Sequence, residues 1–123
     1  LFLGNKSREE LQEIYANCKF SVVPSEYLEA YGNVILESFA FGKTVITSDL
    51  VGIKEEIEEN HVGLTYSFKY QKALEEKMAK LLSNASLKSE LENNIPKYLA
   101  TKTFAKHFED LVTIYENLLT RNR

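Results

Sequence analysis

One cysteine, two prolines, two histidines, five glycines and no tryptophan are all that the 123 residues contain of these types. A lone Cys18 cannot close an internal disulfide, which points to a reducing, cytoplasmic setting with Cys18 as a small buried residue. His61 and His107 stand far apart, so no cluster has metal-ligand spacing. Long apolar runs are missing as well. Stretches such as Val34-Ile35-Leu36 fall far short of the roughly twenty residues that cross a bilayer, and no charged-then-apolar leader opens the chain. Fifteen Lys and Arg against eighteen Asp and Glu give a formal charge of −3 without a long basic block. That balance offers no phosphate-neutralising face, which argues against a nucleic-acid partner. No Gly-x-Gly-x-x-Gly follows an expected strand, and a lone Asp49 does not make the acidic cluster of a flavodoxin-like response module.

What is present is ordinary globular material, 44% apolar and 27% charged, in a length that suits one domain and is short for a two-domain enzyme. Leu1-Phe2-Leu3-Gly4, without an initiator Met, reads as a strand already in progress. The expectation is a single partial domain over residues 1–123, taken from a longer protein.

Ser7 followed by Glu10 forms a capping box, and Leu11, Ile14, Tyr15 and Cys18 repeat at helical spacing, which predicts a helix over Arg8 to Asn17 with its stripe on a core. Phe20 to Val23 is a short β-rich run stopped by Pro24. After a loop, Gly32-Asn33 enters a helix that carries Val34, Ile35, Glu37, Ser38 and Phe39 and ends at Gly42. Thr44 to Thr47 is a second strand. A short acidic helix runs from Gly52 to about Glu59, and Val62 to Tyr66 is a third strand. Strand alternating with helix across short connections favours a parallel, Rossmann-like sheet with flanking helices, an α/β fold. Leu74, Met78, Leu81 and Leu82 mark a further helix, Pro96 is expected to break or kink the segment Leu87 to Ala100, and Phe104 to Leu119 marks a last helix whose aromatic stripe is expected on the sheet.

Ligands of open α/β sheets bind beyond the carboxyl ends of the strands, which singles out Gly4 to Lys6, Pro24 to Asn33 and Ser48 to Ile53. A glycine at a helix start admits a ligand close to the backbone. The free N–H groups of Asn33, Val34 and Ile35 then present the positive end of the helix dipole, a setting that suits a phosphate. Glu37, one turn further on, is placed to accept two hydrogen bonds from vicinal hydroxyls, and Glu29 sits just ahead of the turn. Read from the residues alone, Gly32 as an ordinary turn glycine and both glutamates as solvated charges remains an equal alternative.

The spacing is more specific than these parts. Pro24-Ser25, then Glu29-Ala30-Tyr31-Gly32-Asn33-Val34-Ile35-Leu36-Glu37, Ser38-Phe39-Ala40-Phe41-Gly42-Lys43, the strand Thr44 to Thr47, the Gly52-Ile53-Lys54-Glu55 loop and Asn60-His61-Val62-Gly63-Leu64 follow one another at the offsets of a known pattern. The whole chain resembles the C-terminal, donor-nucleotide-binding domain of retaining glycosyltransferases of family 4, the group 1 glycosyltransferases of GT-B fold. It departs from many members at Leu50-Val51, where small residues with a second glycine are common, and at Lys54, where Pro is common.

The resemblance implies transfer of a sugar from a nucleotide-diphosphate donor to an acceptor with retention at the anomeric carbon. Glu29 would lie by the transferred sugar and diphosphate as the catalytic carboxylate, and Glu37 would hold the ribose hydroxyls. Tyr31 and Gly32 would be substrate-binding residues at the turn, Asn33 and Val34 would give N–H groups to the phosphates, and Gly4, Asn5 and Lys6 would border the base. No cofactor or metal is implied. The donor is a nucleotide-diphosphate sugar, and the acceptor is a glycan, lipid or small molecule bound by an N-terminal domain outside these residues. The implied location is cytoplasmic, or peripheral on the cytoplasmic face of a membrane in the full-length parent. The Arg and Lys that grip the diphosphate in the family are expected upstream, so Lys6, Lys43 and Lys54 are read as solvated turn charges. A sugar-nucleotide epimerase of similar architecture and a noncatalytic nucleotide-sugar-binding subunit are the competing readings.

Overall fold

The computed structural model describes residues 1–70 and 72–121, the side chain of residue 121 excepted. Its centre is a parallel sheet of β1 (Ser21–Val23), β2 (Val45–Ser48) and β3 (Gly63–Tyr66), in that spatial order. Val22 stands beside Ile46 and Ile46 beside Leu64, so consecutive strands are neighbours and each crossover carries a helix. The first crossover holds α2 (Asn33–Ala40), the second α3 (Lys54–Glu59). Three helices follow: α4 (Ala73–Ser83), α5 (Ala85–Ala100) and α6 (Phe104–Arg121).

Every residue of β2 is buried, and its side chains alternate between two layers as the pleat requires. Val45 joins Ile35 and Phe39 of α2, Ile57 of α3, and Ile95 and Tyr98 of α5. Ile46 joins Leu81 of α4 and Leu91 of α5 on the other side, with Val22, Leu64 and Met78 packed around them. Two buried hydroxyls join elements: Thr44 donates to the Val62 carbonyl at 2.8 Å, and Ser38 donates to Ser21 at 2.8 Å, tying α2 to β1.

The first helix, α1 (Arg8–Asn17), has the expected bounds and cap: Ser7 Oγ accepts from the Glu10 N–H and Glu10 returns the bond to the Ser7 N–H. Its stripe is a correction. No residue of α1 is buried, because β1 is the edge of the sheet and the helix meets the fold at its margin, chiefly through a Tyr15–Phe41 ring stack at 5.1 Å. Cys18 is correspondingly half-buried rather than buried.

Three more expectations change. Leu1 to Leu3 form no strand and are exposed, since a strand exists only through pairing and no neighbour pairs with them among the described residues. Pro96 does not break α5, which runs unbroken with Leu91, Ile95 and Tyr98 buried on both sides of it. That packing offsets the missing backbone bond, a cost of about 3 kcal/mol. The aromatic stripe of α6 does not lie on the sheet: Phe104 is 84% and Leu119 71% exposed. Periodicity identified an apolar face correctly but could not say what covers it. Among the described residues no helix is long and apolar enough to cross a membrane.

An ion pair joins α3 to the turn between α5 and α6. Glu56 accepts from the Tyr98 hydroxyl at 2.8 Å and pairs with Lys102. Burial raises the Glu56 carboxyl, yet Lys102 and Tyr98 outweigh it and hold the group below its ordinary value. A carboxylate depressed in this way contributes stability above its unfolded pKa of about 4.3 and loses it as pH falls through the lower folded value. The melting temperature of the wild type should therefore fall more steeply between about pH 5 and 3 than that of Glu56→Gln, which lacks the titrating group. Parallel curves would show the pair to be inert.

Candidate functional site

The loops that leave β1 and β2 are stitched together beyond the strand ends. The Glu29 N–H donates to the Leu50 carbonyl at 3.1 Å, and the Gly52 N–H returns to the Glu29 carbonyl at 2.7 Å, making a bridge between Glu29 and Val51. Gly52 is required there, because a Cβ would sit 2.1 Å from the Ala30 carbonyl oxygen. The backbone of Glu29 is thus fixed, and its carboxylate accepts from Ser25 Oγ at 2.5 Å. Asp49 turns elsewhere, its carboxylate accepting from the Phe68 N–H at 3.1 Å.

Gly32 opens α2 at φ 77° and ψ 68°, a left-handed conformation that a Cβ would strain. The turn aims the first N–H groups of α2 outward, with one correction: the Ile35 N–H donates to the Gly32 carbonyl at 2.8 Å and is not free. Asn33 and Val34 are exposed, and no loop carbonyl engages their N–H groups among the described residues. Two donors at the positive end of an eight-residue helix are what the site offers an anion.

Glu37, exposed one turn further on, accepts from the Tyr15 hydroxyl at 3.3 Å. The two line a cleft of about 350 Å³ between α1 and α2, with Arg8, Gln12 and Phe41. Burial first, and then the Glu37 charge, raise the Tyr15 hydroxyl above its ordinary pKa, which keeps it a neutral donor. Neither Glu29 nor Gly4, Asn5 and Lys6 borders that cleft among the described residues. Lys6 is engaged by Glu10 at 2.9 Å, Gly4 takes a positive φ of 65° and Asn5 is exposed. The two glutamates therefore have different settings: Glu29 on the stitched loop ahead of α2, and Glu37 in the interhelical cleft. Arg8, Gln12 and Tyr15 are lining residues that sequence reasoning passed over. Their i, i+4, i+7 spacing marks one helix face, but Tyr15 had been assigned to a core stripe. No group of three or more His, Cys, Asp and Glu side chains could hold a metal ion among the described residues.

The chain and its parallel sheet with flanking helices have counterparts among known proteins. The sequence model described as glycosyl transferases group 1 matches residues 1–98, most of the chain, and the chain belongs to that family. An uncharacterised glycosyltransferase of Methanocaldococcus jannaschii is 30% identical over 116 residues, 94% of this chain and 33% of that protein. N,N'-diacetylbacillosaminyl-diphospho-undecaprenol alpha-1,3-N-acetylgalactosaminyltransferase of Campylobacter jejuni is 36% identical over 93 residues, 76% of this chain and 24% of that protein. The fold is matched by sucrose-phosphate synthase of Thermosynechococcus elongatus, with a TM-score of 0.76 and 24% identity over 98% of this chain and 30% of that one. The α/β architecture is thus that of the GT-B glycosyltransferases. The chain spans a third or less of the length of these relatives.

The stitched loop gives a stability test. Gly52→Ala should cost about 1 to 3 kcal/mol, the range for forcing extra atoms into a packed site. At Gly4 the added methyl meets nothing within 4 Å, so Gly4→Ala should cost only the left-handed strain, about 1 to 2 kcal/mol. Urea unfolding of both variants checks the order, and a Gly52→Ala chain as stable as wild type would show that the two loops are not held together.

Proposed function

We propose that the chain is the donor-site part of a retaining glycosyltransferase, which transfers a sugar from a nucleotide-diphosphate sugar to an acceptor bound by another part of the full-length protein. The observation that carries this reading is the α2 N-terminus, where a left-handed Gly32 sets Asn33 and Val34 N–H groups outward between Glu29 and Glu37. In this reading those N–H groups receive the diphosphate and stabilise it as it departs, so the chemistry draws on the backbone and needs no metal or other cofactor. Tyr31 and Gly32 shape the turn. Glu37 receives the ribose hydroxyls in its cleft, displacing the Tyr15 bond, and Glu29 lies by the sugar that moves. The loop of Gly4, Asn5 and Lys6 borders the base.

Family membership and the printed activities of the relatives support the transferase reading. The Campylobacter relative is named for an alpha-1,3 sugar transfer. The cations that grip the diphosphate in the family are expected outside residues 1–123. The isolated chain should accordingly bind nucleotide diphosphates only near a Kd of about 1 mM, roughly 4 kcal/mol, and should show no transfer.

The two glutamates can be told apart in the full-length protein. Glu37→Gln is nearly isosteric and suits the helix, yet it weakens a charge-assisted contact worth about 1.5 to 3 kcal/mol, so kcat/KM should fall roughly ten- to a hundredfold. A donor lacking the ribose 2′-hydroxyl should cost the wild type much of that energy and Glu37→Gln little more. Glu29→Gln should keep the ribose discrimination and impair transfer instead. Equal sensitivity of wild type and Glu37→Gln to the deoxy donor would overturn the ribose assignment.

A further inference from the structure

Tyr15 and Glu37 meet in the α1–α2 cleft, but they are not held equally. The Tyr15 ring lies parallel to that of Phe41, with an interplanar angle of 8° and centroids 5.1 Å apart. Its main chain is tied as well: the Tyr15 carbonyl accepts from the Cys18 thiol at 3.3 Å, and Lys43, beyond α2, donates to the next carbonyl, that of Ala16, at 3.0 Å. Glu37 lies on an exposed helix face, and the Tyr15 hydroxyl is the one side-chain partner of its carboxylate among the described residues. The phenol is the fixed member of the pair and the carboxylate the movable one.

Their bond is loose. At 3.3 Å it is longer than the roughly 2.7 to 2.8 Å usual for a hydroxyl donor, whereas Ser25 reaches Glu29 at 2.5 Å. Stacking on Phe41 places the ring without help from the bond, so Tyr15 stays where it is when the bond is broken. A phenol donating to a carboxylate oxygen is, in turn, the same contact that a sugar hydroxyl would make with Glu37.

We propose that Tyr15 is an internal competitor for the ribose of the donor: its hydroxyl occupies one oxygen of Glu37 in the empty site, is displaced when the vicinal hydroxyls bind, and returns to the carboxylate as the nucleotide leaves. The inference rests on the assignment of Glu37 to the ribose. A ribose gains two bonds for the one it breaks, and its apparent affinity is lowered by the share of sites in which the phenol holds the carboxylate. The returning bond favours release of the nucleoside diphosphate product, which carries the same ribose as the donor. Inorganic pyrophosphate has no such hydroxyls and is indifferent to the exchange.

The test measures the Kd of uridine diphosphate, guanosine diphosphate and inorganic pyrophosphate by calorimetry in the full-length protein, for wild type, Tyr15→Phe, Glu37→Ala and the double variant. Tyr15→Phe keeps the ring that stacks on Phe41 and removes only the competing hydroxyl. It should tighten whichever nucleotide the wild type binds about two- to fivefold, the range for one weak hydrogen bond, and leave pyrophosphate unchanged. In the Glu37→Ala background the same substitution should have no effect on the nucleotide. Unchanged or weaker nucleotide binding by Tyr15→Phe, in a protein that Glu37→Ala does weaken, would overturn the inference and leave the ribose assignment standing. An equal gain for pyrophosphate would also overturn it, since the effect would then lie in the α2 N-terminus and not in the ribose cleft. Nucleotide binding that Glu37→Ala leaves untouched would sink the ribose assignment itself, and the competition with it.

Discussion

Burial of β2 on both faces is the constraint from which the rest follows. A strand with no exposed residue must be flanked by two strands and covered by two layers, and Val45 and Ile46 send one side chain into each. Parallel neighbours then require crossovers, the crossovers carry α2 and α3, and the loops after β1 and β2 open on the same side of the sheet. The site stands on that edge because the strands end together there, and it would have nowhere to form without the buried strand between them.

At that edge the backbone does most of the positioning. Gly52 approaches the Ala30 carbonyl closely enough to exclude any side chain, and the resulting bridge holds Glu29 against the second loop. Gly32 contributes a different thing, a left-handed turn that leaves two N–H groups outward while a third closes on its own carbonyl. The two glutamates differ for the same reason. Glu29 is fixed through its main chain and Ser25, whereas Glu37 is set by helix phase and shares its cleft with groups from α1.

Local signals were the legible ones. Ser7 and Glu10 satisfy orphan N–H groups within one turn, so the cap and the bounds of α1 were plain from four residues. The same holds for the alternation of strands and helices and for Gly32 at the start of α2, each set by neighbours in sequence. What was not legible depends on distant partners. The stripe of α1 and the aromatic face of α6 have the right period, yet burial depends on an opposing surface, and the sheet supplies it to neither. Pro96 was read as a breaker because its local cost is real, while the core contacts of Ile95 and Tyr98 that offset it come from α2 and α3. The face of Arg8, Gln12 and Tyr15 needed α2 beside it to become a cleft, and the partnership of Lys102 with Glu56 spans too many residues for any spacing rule.

The disposition of the lysines completes the physical account of the site. Lys6 is engaged by Glu10, Lys43 donates to the Ala16 carbonyl at 3.0 Å, Lys54 lies 3.9 Å from Glu55, and Lys102 is held by Glu56. Each of these four has a partner of its own, and the α2 N-terminus itself offers an anion N–H dipoles rather than an ionic group. A helix terminus at the surface stabilises a negative charge by about 0.3 to 1 kcal/mol, and two unencumbered N–H groups add direction to that modest attraction. In the proposed donor-site reading, such a site would select a geometry, with a phosphate on the turn and a hydroxyl-bearing group within reach of Glu37, more than it would supply affinity. Its effect on chemistry would be felt most where negative charge grows on the departing group, because a fixed dipole needs no reorganisation at that moment.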